Sequence, residues 1–191
     1  MHGVVFCCDA HVQALAEIMM KGRTIRERED FHQRSLSQLS TVRQSHTTNI
    51  EESLDRLRQC LDVAVTGEDM SRFYESDSMQ RSEKWGSIDR EQTLLMQESG
   101  DRLQQLQLVE TSLAILHRIL ENGDQEQAFM MLEGFMDTIN SLNTELTAAE
   151  RKRAVLEQSV MHAVTTENEQ MLTMMSLLTR DKRSPTVIAC C

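Results

Sequence analysis

Proline occurs once in 191 residues, at Pro185, and glycine seven times. The chain thus has almost none of the residues that interrupt a helix, and long uninterrupted helices are expected. Aromatic side chains are equally scarce, with one Trp, one Tyr and five Phe. Burial must then come from Leu, Met, Ile, Val and Ala, which suits helix packed on helix. The net charge of −10 lacks the positive surface that phosphate contacts need, which excludes a general nucleic-acid binder. No apolar run reaches the roughly 18 residues of a membrane span, so no transmembrane segment is expected. The opening MHGVVFCCDAH has no basic stretch ahead of its apolar patch and reads as a poor signal peptide, so a cytoplasmic location is expected.

Signals for chemistry are missing too. There is no glycine-rich phosphate loop and no nucleophile elbow, and His46, His117 and His162 stand singly on helical stretches. Neither an enzyme nor a cofactor is expected. His2, Cys7, Cys8 and His11 lie close together, but structural zinc takes two spaced ligand pairs and no second pair is near, so no metal site is assigned. The five cysteines are two vicinal pairs, Cys7–Cys8 and Cys190–Cys191, and the single Cys60. Adjacent cysteines seldom bond to each other, and reduced thiols are expected.

What the chain does have is periodicity. Steps of four and three from Ala128 pass through Leu132, Phe135, Ile139, Leu142, Leu146, Ala149, Arg153, Leu156, Val160, Ala163, Glu167, Gln170, Met174 and Leu177. All are apolar except Arg153, Glu167 and Gln170, and the last exception disappears if the register relaxes to Met171. Such a row is a coiled-coil seam that strands cannot produce, and at ~1.5 Å per residue it is on the order of 75 Å long. A row this long needs a helix against it, from this chain or another. Leu132, Phe135, Ile139, Leu142, Leu146, Arg153, Leu156 and Val160 are therefore the expected partner-binding seam. The methionines of FMMLEGFM and MLTMMSLL read as adaptable packing residues of that seam.

Before the seam, Asn122-Gly123 reads as a helix stop and Asp124, with Gln127 three residues on, as an N-cap. A loop this short folds two helices back on each other. The first arm, from about Trp85 to Leu120, keeps the same spacing through Leu106, Val109, Leu113, Leu116 and Leu120, and Ile115 and Ile119 widen its stripe. Upstream, Ile50, Leu54, Leu57, Leu61 and Ala64 form a row with Thr48 and Glu51 placed as a capping box. A weaker period runs through Val12, Leu15 and Met19, then Leu36, Leu39, Val42 and His46, and leaves open whether one helix or two precede residue 65. Residues 66–84 are polar, rich in Ser and charge and without period, and read as a linker. The expected architecture is all-α and elongated: an N-terminal helical segment over 1–65, the linker over 66–84, an antiparallel helical hairpin with a long C-terminal heptad helix over 85–180, and a tail over 181–191.

Charge is unevenly placed. The acids gather between Leu95 and Thr147, whereas Gly22 to Arg34 carries Arg23, Arg26, Arg28 and Arg34. Arg23, Arg26 and Arg28 are candidate contacts to an acidic partner such as tubulin. Arg153 stands at a core position, where its stem either snorkels outward or its charge fixes register against an acid on a facing helix. A central arginine in such a heptad run resembles the R-type SNARE family. The family's next layer falls four residues on, however, whereas Leu156 follows Arg153 by three, and its membrane helix has no counterpart here. The terminal Cys190-Cys191 resembles the doubly prenylated ending of Rab-family GTPases, without their phosphate loop, and IACC departs from the pattern with cysteine fourth from the end. Both cysteines are candidate lipidation sites. The function expected from the sequence is a non-enzymatic coiled-coil structural or interaction subunit of a larger, cytoskeletal or microtubule-associated assembly, whose partners are other helical proteins or itself. The alternative is a lipid-anchored or SNARE-like trafficking or tethering factor.

Overall fold

The computed structural model describes the backbone of residues 3–62 and 68–181. It is all-α, with three helices and no strand among the described residues. α1 spans Gly3–Asp62, α2 Glu68–Glu121 and α3 Gln125–Asp181. Among the described residues each helix contributes to two compact units, the first made of residues 3–37 and 90–155 and the second of 38–62, 68–89 and 156–181.

Local chemistry explains the one described turn. Gly123 adopts φ 81°, a left-handed conformation that costs glycine nothing. Its N–H donates to Leu120 O and the Asp124 N–H to Ile119 O, which together satisfy the last carbonyls of α2 in a Schellman motif. Asp124 Oδ1 then accepts the Gln127 N–H at 3.1 Å and starts α3. The stop and start signals at Asn122–Asp124 thus sit between the two helices. Because Asp124 is exposed and its visible role is this cap, Asp124→Ala is expected to cost about 1 kcal/mol, and Asp124→Asn almost nothing. Urea unfolding checks this as a lower midpoint at unchanged slope for the alanine variant alone.

In the first unit α1 runs antiparallel to α2 and parallel to α3. Arg26 meets Glu110 while Leu36 O accepts from Gln92 Nε2, and Lys21 meets Asn140 while Arg28 meets Glu150. The core joins Ile18 and Ile25 of α1, Leu106, Val109 and Leu116 of α2, and Ala128, Leu132, Ile139, Leu142 and Leu146 of α3. Each fully buried Leu or Ile here contributes about 1.5–3 kcal/mol. The second unit packs Ile50 and Met171 with Leu54 and Met174.

Several expectations change. Residues 68–84, read as linker, form the first turns of α2. Polarity says which side chains meet water, but without Gly or Pro it does not end a helix. α1 is one helix, so Thr48 caps nothing; its hydroxyl donates to Gln44 O one turn back. The Val12–Met19 row is not the buried face of α1, as both residues are more than half exposed, while His11, Ile18, Gly22, Ile25, Glu29, His32 and Leu36 face inward. Ile115, expected to widen the buried stripe of α2, is exposed, and Ile119 is half-buried against the core. At the far end of the seam the relaxed register holds, with Met171 buried and Gln170 exposed.

Candidate functional site

The expected partner-binding seam is filled by the chain itself. Leu132, Ile139, Leu142 and Leu146 are buried in the first unit with Phe135 packed against them, and Leu156 and Val160 are buried in the second. The basic stretch is largely engaged as well. The Arg26 guanidinium pairs with Glu110, and Arg28 grips Glu150 through Nε at 3.0 Å and Nη2 at 2.6 Å. That grip holds the Glu150 carboxyl below the usual carboxylate range, the Arg28 hydrogen bond being the main cause. Arg23 is exposed and faces an open groove. Cys190 and Cys191 lie outside the described residues, as do the side chains of Cys7, Cys8 and Cys60.

Heptad geometry brings charged groups to the centre of the first unit. Glu29 and His32 of α1 and Ser99 and Arg102 of α2 are all buried at core positions. Arg102 Nε donates to Glu29 Oε1, its Nη2 lies 3.3 Å from Oε2, and the Ser99 hydroxyl donates to Oε2 at 2.5 Å. Arg153 of α3 is half-buried, with its guanidinium carbon 4.9 Å from the centre of the Phe31 ring. The buried acid–arginine pair anticipated around Arg153 is therefore Glu29 with Arg102, one layer's worth of side chains on the other two helices. A polar layer between apolar ones penalises any slip that separates its partners.

His32 is fully buried, and neither ring nitrogen has a hydrogen-bond partner among the described residues. Burial is the main cause that pushes its pKa below the ordinary histidine value, with Arg102 and Arg153 adding to the effect and Glu29 and Glu150 opposing it. A histidine whose folded pKa is depressed binds its proton more readily unfolded. Its contribution to stability is therefore complete above the unfolded value of about 6.5 and is lost as pH falls through the lower folded value. We expect urea midpoints to fall below pH 6.5 more steeply for the native chain than for His32→Met; parallel pH profiles would contradict this placement.

The second unit holds another polar centre around Glu167. His46 Nε2 donates to Oε2 at 3.0 Å, Trp85 Nε1 donates to Oε1 at 2.7 Å, and Arg81 Nε lies 3.4 Å from Oε1. One buried carboxylate thus receives donors from both other helices. The sequence placed His46 and Glu167 in apolar rows, which was the available signal: a polar residue at a core heptad position needs a partner on the facing helix. Among the described residues no cluster of three or more His, Cys, Asp and Glu could hold a metal ion, and no helix is long and apolar enough to cross a membrane.

The first unit has a groove of about 510 Å³ between α1 and α2. Leu15, Ile18 and Met19 form one wall, Leu106, Val109 and Leu113 the other, and the buried Ile139 closes the floor beside Gly22. Arg23, Arg26 and Glu110 stand at its rim. Comparison with protein-family models, characterised proteins and solved structures found no match for this chain.

Proposed function

We propose that the chain is a non-enzymatic structural and interaction subunit, a helical bundle that completes its own core and offers its flanks to other proteins of an assembly. The carrying observation is apolar surface left over once the core is filled. Val12 and Met19, one heptad apart on α1, are 66% and 60% exposed, and Leu108 and Ile115, one heptad apart on α2, are 61% and 55% exposed. Repeats of that kind make stripes, and stripes of apolar surface mark contact sites better than scattered residues do. The cytoskeletal setting rests on the basic stretch, in which Arg23 is exposed while Arg26 and Arg28 are paired with Glu110 and Glu150.

Size separation of native extracts tests the reading. The 21.9 kDa chain is expected in larger assemblies, and Val12→Asp with Met19→Asp is expected to release it while preserving its helical melt. Elution of the whole population at its own mass would overturn the proposal.

A further inference from the structure

The geometry points to a proton-driven exchange of partners in the charged layer of the first unit: when His32 takes up a proton it replaces Arg102 on the Glu29 carboxylate, and the released guanidinium swings into the groove between α2 and α3.

At neutral pH the layer is half used. Glu29 receives Arg102 and the Ser99 hydroxyl, whereas His32, equally buried and three residues on, has no hydrogen-bond partner at either ring nitrogen among the described residues. A leucine or methionine would fill the same core position without leaving polar atoms unpaired. What histidine adds is a charge that appears only below neutral pH.

The acceptor for that charge is close by. Residues three apart on a helix are neighbours, about 5–6 Å between Cβ atoms, and helical side chains lean toward the N-terminus, which for His32 is the side of Glu29. Protonated, the ring becomes a donor at both nitrogens. The charged groups that act on it are Glu29 of α1, Arg102 of α2, and Glu150 and Arg153 of α3, and of the two acids Glu29 acts more strongly. Glu150 is already held by two hydrogen bonds from Arg28. An imidazolium here therefore turns to Glu29.

One cation must then give way, and Arg102 has an exit. Arg153 already rests over Phe31. Arg102, by contrast, lines a groove of about 390 Å³ together with Glu98, Asp101 and Glu145, and the small Ala148 and Ala149 leave room there for a long side chain. Glu98 stands four residues before Arg102 on the same helix, the order and spacing that favour a Glu–Arg pair. Its present partner, Lys152 at 3.2 Å, is half exposed and holds it weakly. Because burial and the two arginines keep His32 below the ordinary histidine value, the exchange sets in as pH falls below about 6.5.

The experiment follows the full chain, labelled with ¹⁵N-arginine and ¹³C-histidine, by NMR from about pH 7.5 to about pH 5, the window in which a histidine changes charge. Protection of the Arg102 Nε–H against solvent exchange, corrected for the intrinsic effect of pH, should fall at least about tenfold, as expected for a local opening. Its midpoint should coincide with the titration of the His32 ring, while the Arg28 Nε–H bonded to Glu150 stays protected. In His32→Met the Arg102 proton should stay protected throughout. Three results would overturn the exchange: a His32 ring that stays neutral or titrates without Arg102 responding, the same loss in His32→Met, or simultaneous loss of protection at Arg28 and along the backbone, which is unfolding. Comparison of the two midpoints needs only the native chain and decides the matter even if His32→Met folds poorly.

Discussion

Replacing Arg102 with alanine is expected to lower the stability of the bundle by about 3–5 kcal/mol, because Glu29 would be left as a buried charge that has lost its ion-pair partner and keeps the Ser99 hydroxyl as a donor. Glu29→Ala is expected to do similar damage by stranding the arginine. The double replacement Arg102→Met with Glu29→Leu should recover most of the loss, since removing both charges also removes their desolvation cost. Denaturant unfolding of the native chain, the two single alanine variants and the double alanine variant gives the coupling between the two sites directly. Losses that simply add would show that the pair is not a unit. The contrast with Arg26–Glu110 is instructive: both of those side chains are about two-fifths exposed, and breaking that pair should cost at most about 1 kcal/mol.

Changing Leu142 and Leu146 together to aspartate should abolish the folded bundle. Both are fully buried between the other two helices of the first unit. Each change removes about 1.5–3 kcal/mol of apolar burial and adds an unpaired carboxylate whose desolvation costs several kcal/mol more. The sum is comparable with the roughly 5–15 kcal/mol that holds a typical domain together. Were the seam occupied by a second protein, the same changes would dissociate a complex and leave a folded chain behind. Far-UV circular dichroism separates the two, since the cooperative melt should vanish here.

The helices and their one described turn were legible because their signals are local. Asn122, Gly123 and Asp124 fix a Schellman stop and an N-cap within three residues. The α3 seam was legible because its row is apolar almost throughout. α1 was harder for a physical reason: its inward face carries Glu29, His32 and His46, while Val12 and Met19 on its flank are apolar. The apolar row through Val12 and Met19 therefore follows the flank. The polar layer is not legible in the sequence because Glu29 and Arg102 are 73 residues apart in the chain and become neighbours only when α1 docks on α2. Arg153 advertised that a charge sits at core level, yet its head lies over Phe31 and the buried ion pair belongs to its neighbours. The helicity of residues 68–84 was hidden by equating polarity with a break.

α1 and α2 of the same chain cover the α3 seam. Thermal unfolding followed from micromolar to submillimolar protein decides it, because folding that needs only one chain has a midpoint independent of concentration, whereas a core shared between chains gains stability with concentration. A constant midpoint is the predicted result. A midpoint that climbs steadily with concentration would place another chain in the seam and contradict the account.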